Sequence, residues 1–169
     1  FVHANLFNLQ YSSLYAHNSI LGEWLRTKNA MVKIGSTIFC HGGISKDFAD
    51  RQLSIQRVNE LTRKYLKLNP KRAITEDSAK PIFNTKKGLL WYRGYVQQKM
   101  NSEKISGILD FYDAEVIVIG HTPVSEICRL YDGQVVAIDV PHTMGEEHKQ
   151  ALLIEHDQMY AVGLQGKKR

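Results

Sequence analysis

Glu115-Val116-Ile117-Val118-Ile119-Gly120-His121-Thr122-Pro123 sets the architecture expected of this chain, and Ser36-Thr37-Ile38-Phe39-Cys40-His41-Gly42-Gly43 is its counterpart upstream. In each, a run of β-branched and apolar residues stops at a glycine with a histidine beside it. A strand that ends this way delivers its last side chain to the carboxyl edge of a sheet, where open α/β sheets place their sites. The small glycines let a metal ion or a phosphate approach closely. One histidine at a strand end reads as a hydrogen-bonded edge residue, whereas a pair, His41 and His121, reads as metal ligands.

Around these two strands the periodicity predicts further elements. Asn18 or Ser19 caps a helix whose apolar residues Ile20, Leu21, Trp24 and Leu25 share one face, which is expected to pack in the core. Two short strands follow at about 30–34 and 37–41, joined by Gly35-Ser36 as a tight hairpin turn. Phe48, Ile55, Val58, Leu61 and Leu66 mark one amphipathic helix over about 47–68, closed by Asn69-Pro70. Residues 71–87 are polar and basic, with Pro81 and no steady period, and 89–95 are compact and aromatic. A second helix over about 102–112 turns Ile105, Ile108 and Leu109 inward. The remainder reads as a strand meander over 126–131, 134–140, 151–156 and 159–162, with a turn at Asp132-Gly133.

The chain has 169 residues, 43% of them hydrophobic, which fits a single globular domain, 1–169, with a buried core. No stretch approaches the ~20 continuous apolar residues of a membrane span, and no secretory leader opens the sequence. A cytoplasmic location is favoured, and the start at Phe1 in place of a methionine reads as a lost N-terminus. With 22 Lys+Arg against 17 Asp+Glu the net charge is +5, yet no aromatic-interleaved motif accompanies Arg63, Lys64, Lys67, Lys71, Arg72 or Lys167-Lys168-Arg169. A basic run of this kind is usually a solvated face, so no nucleic-acid partner is expected. Cys40 and Cys128 give no disulfide framework. Neighbouring side chains on a strand point to opposite faces, so Cys40 and His41 cannot both reach one zinc ion, and both cysteines are expected to be reduced and largely buried.

The strings IFCHGGIS and VIVIGHTPV resemble the two histidine motifs in the C-terminal half of calcineurin-like metallophosphoesterases. Residues 19–29 and Leu90-Trp91-Tyr92-Arg93-Gly94-Tyr95 are similar to a bacterial branch near the Shewanella-like serine/threonine protein phosphatases, and the resemblance spans about 19–162. It implies the C-terminal half of a four-layer αββα sandwich, a mixed sheet with flanking helices, and residues 69–88 as a surface or cap excursion. The family's Asp-x-His, Gly-Asp-x-x-Asp-Arg-Gly and Gly-Asn-His-Glu motifs are absent here; Asp50-Arg51 lacks the flanking residues of the second. The implied function is metal-dependent phosphoester hydrolysis, with a divalent pair (Mn, Fe or Zn) and a phosphoprotein or small phosphoester as substrate. The isolated chain is then expected to be inactive. The alternative is a non-catalytic module that binds an anion or a protein on the same half-fold.

By the same resemblance His41 and His121 hold the second metal of the pair. Arg93 has two readings, a phosphate clamp whose guanidinium takes two oxygens in a planar fork, or a surface arginine paired with a carboxylate. Asp139, after Val135-Val136-Ala137-Ile138, is similar to a family aspartate that orients a ligating histidine, with a capping role as its alternative. His142 reaches the metals only if its loop folds inward. His3, His17, His148 and His156 lack motif context and read as surface or edge residues. If the usual first half is missing, the face it covers should carry apolar side chains from 37–40 and 116–119 and be open to self-association.

Overall fold

The structure, a computed structural model, describes residues 10–68, 73–98 and 100–169, with Leu68 described by its backbone alone. Its centre is a five-stranded mixed sheet. The strands are β1 (Met31–Ile34), β2 (Thr37–Cys40), β3 (Val116–Ile119), β4 (Cys128–Leu130) and β5 (Val135–Ala137), in the order β1-β2-β3-β5-β4. The central pairs β2/β3 and β3/β5 are parallel, and the outer pairs β1/β2 and β5/β4 are antiparallel. The β1/β2 turn works because Gly35 adopts φ +58 where no atom crowds it. A separate hairpin, β6 (Gln150–Glu155) and β7 (Gln158–Gly163), completes the strands.

Parallel register decides where the two histidine motifs go. Cys40 pairs with Ile119, so the residues that follow each strand leave the sheet side by side at its carboxyl edge. Ile38, Cys40, Ile117, Ile119, Val135 and Ala137 lie in the main core, which also takes Val58, Leu61, Ile105, Ile108 and Leu109 from helices. Full burial of such an aliphatic side chain contributes about 1.5–3 kcal/mol, which holds the edge rigid from below. On the opposite face Val118 and Val136 are buried, Phe39 and Val116 are half-buried, and Ile34 is 66% exposed.

The helices are α1 (Ile20–Leu25), α2 (Lys46–Ala49), α3 (Ile55–Leu68), α4 (Lys80–Phe83) and α5 (Ser102–Phe111). Three expectations are corrected. The helix predicted over 47–68 is two, because Gln52 takes a left-handed φ of 46 and each part has its own serine cap: Ser45 Oγ accepts from Phe48 N and Ser54 Oγ from Arg57 N. The apolar face of α1 is not core: Ile20 is 91% and Trp24 54% exposed, and only Gly22 is buried. The terminal strands are not one meander, since β6 and β7 form their own two-stranded sheet, which residues 167–169 extend along β7, and meet the β4 region through side chains, Gln150 Oε1 accepting from Ile127 N and Arg129 Nη2 donating to the Met159 carbonyl.

Within 69–88 the described residues Ala73, Ala79, Ile82 and Phe83 are buried, so this polar stretch is anchored in the core by α4, with Pro81 in its first turn. His3, Lys71, Arg72 and the Asn69-Pro70 stop lie outside the described residues. Asn59 of α3 stands against the free edge of β1: its Oδ1 accepts from Ala30 N and Met31 N, and its Nδ2 donates to the Met31 carbonyl. Among the described residues no helix is long and apolar enough to cross a membrane.

Candidate functional site

The two loops at the carboxyl edge meet directly. Gly120 N donates to the His41 carbonyl at 2.9 Å, and the imidazoles of His41 and His121 lie 4.8 Å apart between ring centroids. They reach this contact by different backbones. His41 directly follows β2 without a left-handed backbone, and the next two peptides are tied to a third segment, Gly42 N and Gly43 N both donating to the Leu89 carbonyl at 3.0 and 3.2 Å. A Cβ on Gly42 would stand 2.8 Å from Tyr92 N and 2.9 Å from Leu89 O, so only glycine admits this approach. His121 instead sits at the centre of a three-residue turn, with Thr122 N donating to the Gly120 carbonyl at 2.7 Å and φ of 65. That hand of turn is rare and strained for a side-chain-bearing residue, at about 1–3 kcal/mol.

The segment 89–93 also holds His121. The Trp91 indole meets the His121 ring edge to face at 5.6 Å, with the planes at 89°. Arg93 Nη1 donates to the His121 carbonyl at 2.8 Å. Partial burial is the main cause that keeps the His121 imidazole below the ordinary histidine range, and the nearby charges of Arg93 and His41 act in the same direction. The Trp91 backbone and the Asp139 carboxylate oppose them. Nε2 of His121 is buried and has no hydrogen-bond partner among the described residues. A neutral ring with a buried, unpartnered Nε2 lone pair is the form in which imidazole binds a metal.

Arg93 therefore stands at the site with its guanidinium bonded to a carbonyl, and no ion pair to a carboxylate is present among the described residues. Asp139, half-buried, follows β5 beside the His121 turn, where its carbonyl accepts from Val124 N. No side-chain hydrogen bond links Asp139 to an imidazole among the described residues, and its carboxylate acts on His121 through its charge. His142 is exposed, its N–H bonded to the Val140 carbonyl, and it makes no contact with the two histidines among the described residues. Trp91 as a partner of His121, and Leu89 as the tie to the first loop, were missed in sequence; the only signal was the dense aromatic composition of 89–95. Cys40 and Cys128 are both free, and burial pushes the Cys40 thiol up to about 12.

Two imidazoles fit part of a metal site. Among the described residues no three His, Cys, Asp or Glu side chains converge on a common point.

No family model matches the sequence. It is 30% identical over 145 residues to Shewanella-like protein phosphatase 1 of Plasmodium berghei (strain Anka), a match that covers 79% of this chain and 39% of that protein. Its fold superposes on the crystal structure of a cold-active protein-tyrosine phosphatase from a psychrophilic Shewanella species with a TM-score of 0.89 and 28% identity, covering 99% of this chain and 50% of that one. A second crystal structure of a cold-active protein tyrosine phosphatase gives the same TM-score and identity over 99% of this chain and 49% of its own. The chain thus spans half or less of the length of the relatives it matches.

Proposed function

The chain belongs to the Shewanella-like phosphatase branch, and from that premise we propose that the protein containing it is a metal-dependent phosphoester hydrolase, with this chain as the half that carries His41 and His121. The observation that carries the reading is the pair of imidazoles at one sheet edge, 4.8 Å apart, one of them with a buried and unpartnered Nε2. His41 and His121 are the residues that hold a divalent ion, Mn, Fe or Zn. The remaining ligands come from the other half of the protein, whose sheet stacks on this one to complete a four-layer sandwich. When bound, a divalent pair lowers the pKa of water and neutralises charge on the phosphoryl oxygens.

The chain's own residues prepare that chemistry. The depressed basicity of His121 keeps its ring neutral at neutral pH, so no proton competes for the nitrogen. Arg93 uses one N–H on the His121 carbonyl and keeps its other donors for the oxygens of a phosphate. Asp139 adds a negative charge beside His121 that offsets Arg93. The substrate class is a phosphoprotein or a small phosphoester, in line with relatives named as protein and tyrosine phosphatases.

The test is manganese-dependent hydrolysis of p-nitrophenyl phosphate by the whole protein and by this chain alone. Loss of an outer-shell partner typically costs 10–100-fold at metal sites, so His41→Ala or His121→Ala should cost more than about 100-fold in the whole protein. The isolated chain should show no turnover above background. Wild-type rates in either histidine variant would refute the reading.

A further inference from the structure

The turn that presents His121 is strained, and something must hold it. Positive φ at a residue with a side chain persists only where the surroundings over-determine it. Three bonds act on this turn: Thr122 N closes it on the Gly120 carbonyl, Gly120 N fastens it to the His41 carbonyl, and Arg93 Nη1 grips the carbonyl of His121 itself. Only the last comes from a side chain, reaching 28 residues along the chain, and it comes from the segment that Leu89 also ties to the His41 loop. The carbonyl it holds belongs to the residue with the left-handed backbone, so the bond acts at the strained position itself.

We propose that Arg93 is a positioning residue: through its bond to the His121 carbonyl it locks the strained turn after β3 and so sets the direction from which the His121 imidazole meets a metal ion. The role is separate from any contact between Arg93 and phosphate, and it rests on the reading of His121 as a metal ligand. Lysine separates the two roles, since one flexible ammonium can still reach a carbonyl but cannot present a planar fork to phosphate.

The experiment compares Arg93→Met and Arg93→Lys with wild type in the whole protein without substrate, with Mn2+ affinity read by electron paramagnetic resonance and inorganic phosphate affinity by titration. Arg93→Met should weaken Mn2+ binding by about 10–100-fold, the range for outer-shell losses, while Arg93→Lys stays within about 3-fold. Both should lose phosphate affinity. In the metal-free protein, NMR should show that Arg93→Met alone loses the left-handed carbon shifts of His121 and the ring-to-ring contact with His41. Wild-type Mn2+ affinity and unchanged His121 shifts in Arg93→Met would overturn the proposal. If Arg93→Met does not fold, Arg93→Lys decides, and a Mn2+ loss in it as large as that of His121→Ala overturns the role. A wild-type protein that binds no Mn2+ while its His121 shifts still depend on Arg93 would remove the metal reading and leave the positioning of the ring.

Discussion

The two histidine loops are built from the same few residues in opposite order, and they solve opposite problems. In the first, His41 is exposed and its backbone is not left-handed, and Gly42 and Gly43 supply the close approach to Leu89, Tyr92 and Tyr95. In the second, the glycine meets little, its nearest neighbour beyond an added Cβ being the His41 carbonyl at 3.6 Å, and the histidine itself carries the left-handed backbone. Glycine is therefore a packing requirement in one loop and nearly a spectator in the other. The first loop should be fragile toward volume and burial; the second depends on what grips it from outside.

The largest expected effect lies beneath the first loop and can break this contrast. Burial raises the Cys40 thiol from 9.0 to about 12, so its stabilisation is present below pH about 9 and is lost as pH rises toward 12. The full interval corresponds to about 4 kcal/mol. Cys40→Ala should remove that part of the alkaline loss in denaturant melts followed from pH 8 upward, whereas equal alkaline slopes in variant and wild type would show that the thiol is not held this way. Next in size, Gly42→Ala presses a methyl group against backbone atoms that cannot step aside and should destabilise by about 3 kcal/mol or more in thermal unfolding. Tyr95→Phe removes the donor to the buried Ile44 carbonyl at 2.9 Å and should cost about 2 kcal/mol, checked by urea denaturation. The smallest effect sharpens the comparison: Gly120→Ala, at an ordinary φ and in open contact, should be neutral or stabilising by up to about 1 kcal/mol. If it instead costs as much as Gly42→Ala, the asymmetry of the loops is wrong.

What could be read in sequence follows the same division. The two central strands and the histidine edge were legible because β-branched runs ending beside a glycine mark where a strand stops. The helix at Ser102–Phe111 was legible because Ile105, Ile108 and Leu109 repeat at helical spacing. The break at Gln52 was not, since a left-handed residue between two serine caps leaves the apolar period intact. The exposure of α1 was hidden for a related reason: amphipathic spacing at Ile20 and Trp24 declares an apolar face but says nothing about what covers it. At the site, the histidines were visible as residue types. The parts played by the Trp91 ring and by Arg93 Nη1 depend on contacts with His121 about 30 residues along the chain, which no local pattern records.

Asn59 has a consequence for how this molecule behaves among copies of itself. In the β1/β2 register the peptide groups of Met31 and Lys33 alternate outward, toward the free rim of the sheet. The Asn59 amide imitates a neighbouring strand at Met31, taking both its N–H and its C=O. Among the described residues an incoming extended chain would find the Lys33 peptide unclaimed on this rim of β1, beside a cationic side chain already engaged with Asp113. One peptide cannot nucleate a ladder, so growth by strand addition is stopped at this rim by a single carboxamide. In polymer terms Asn59 is a chain terminator for the β1 end of the sheet.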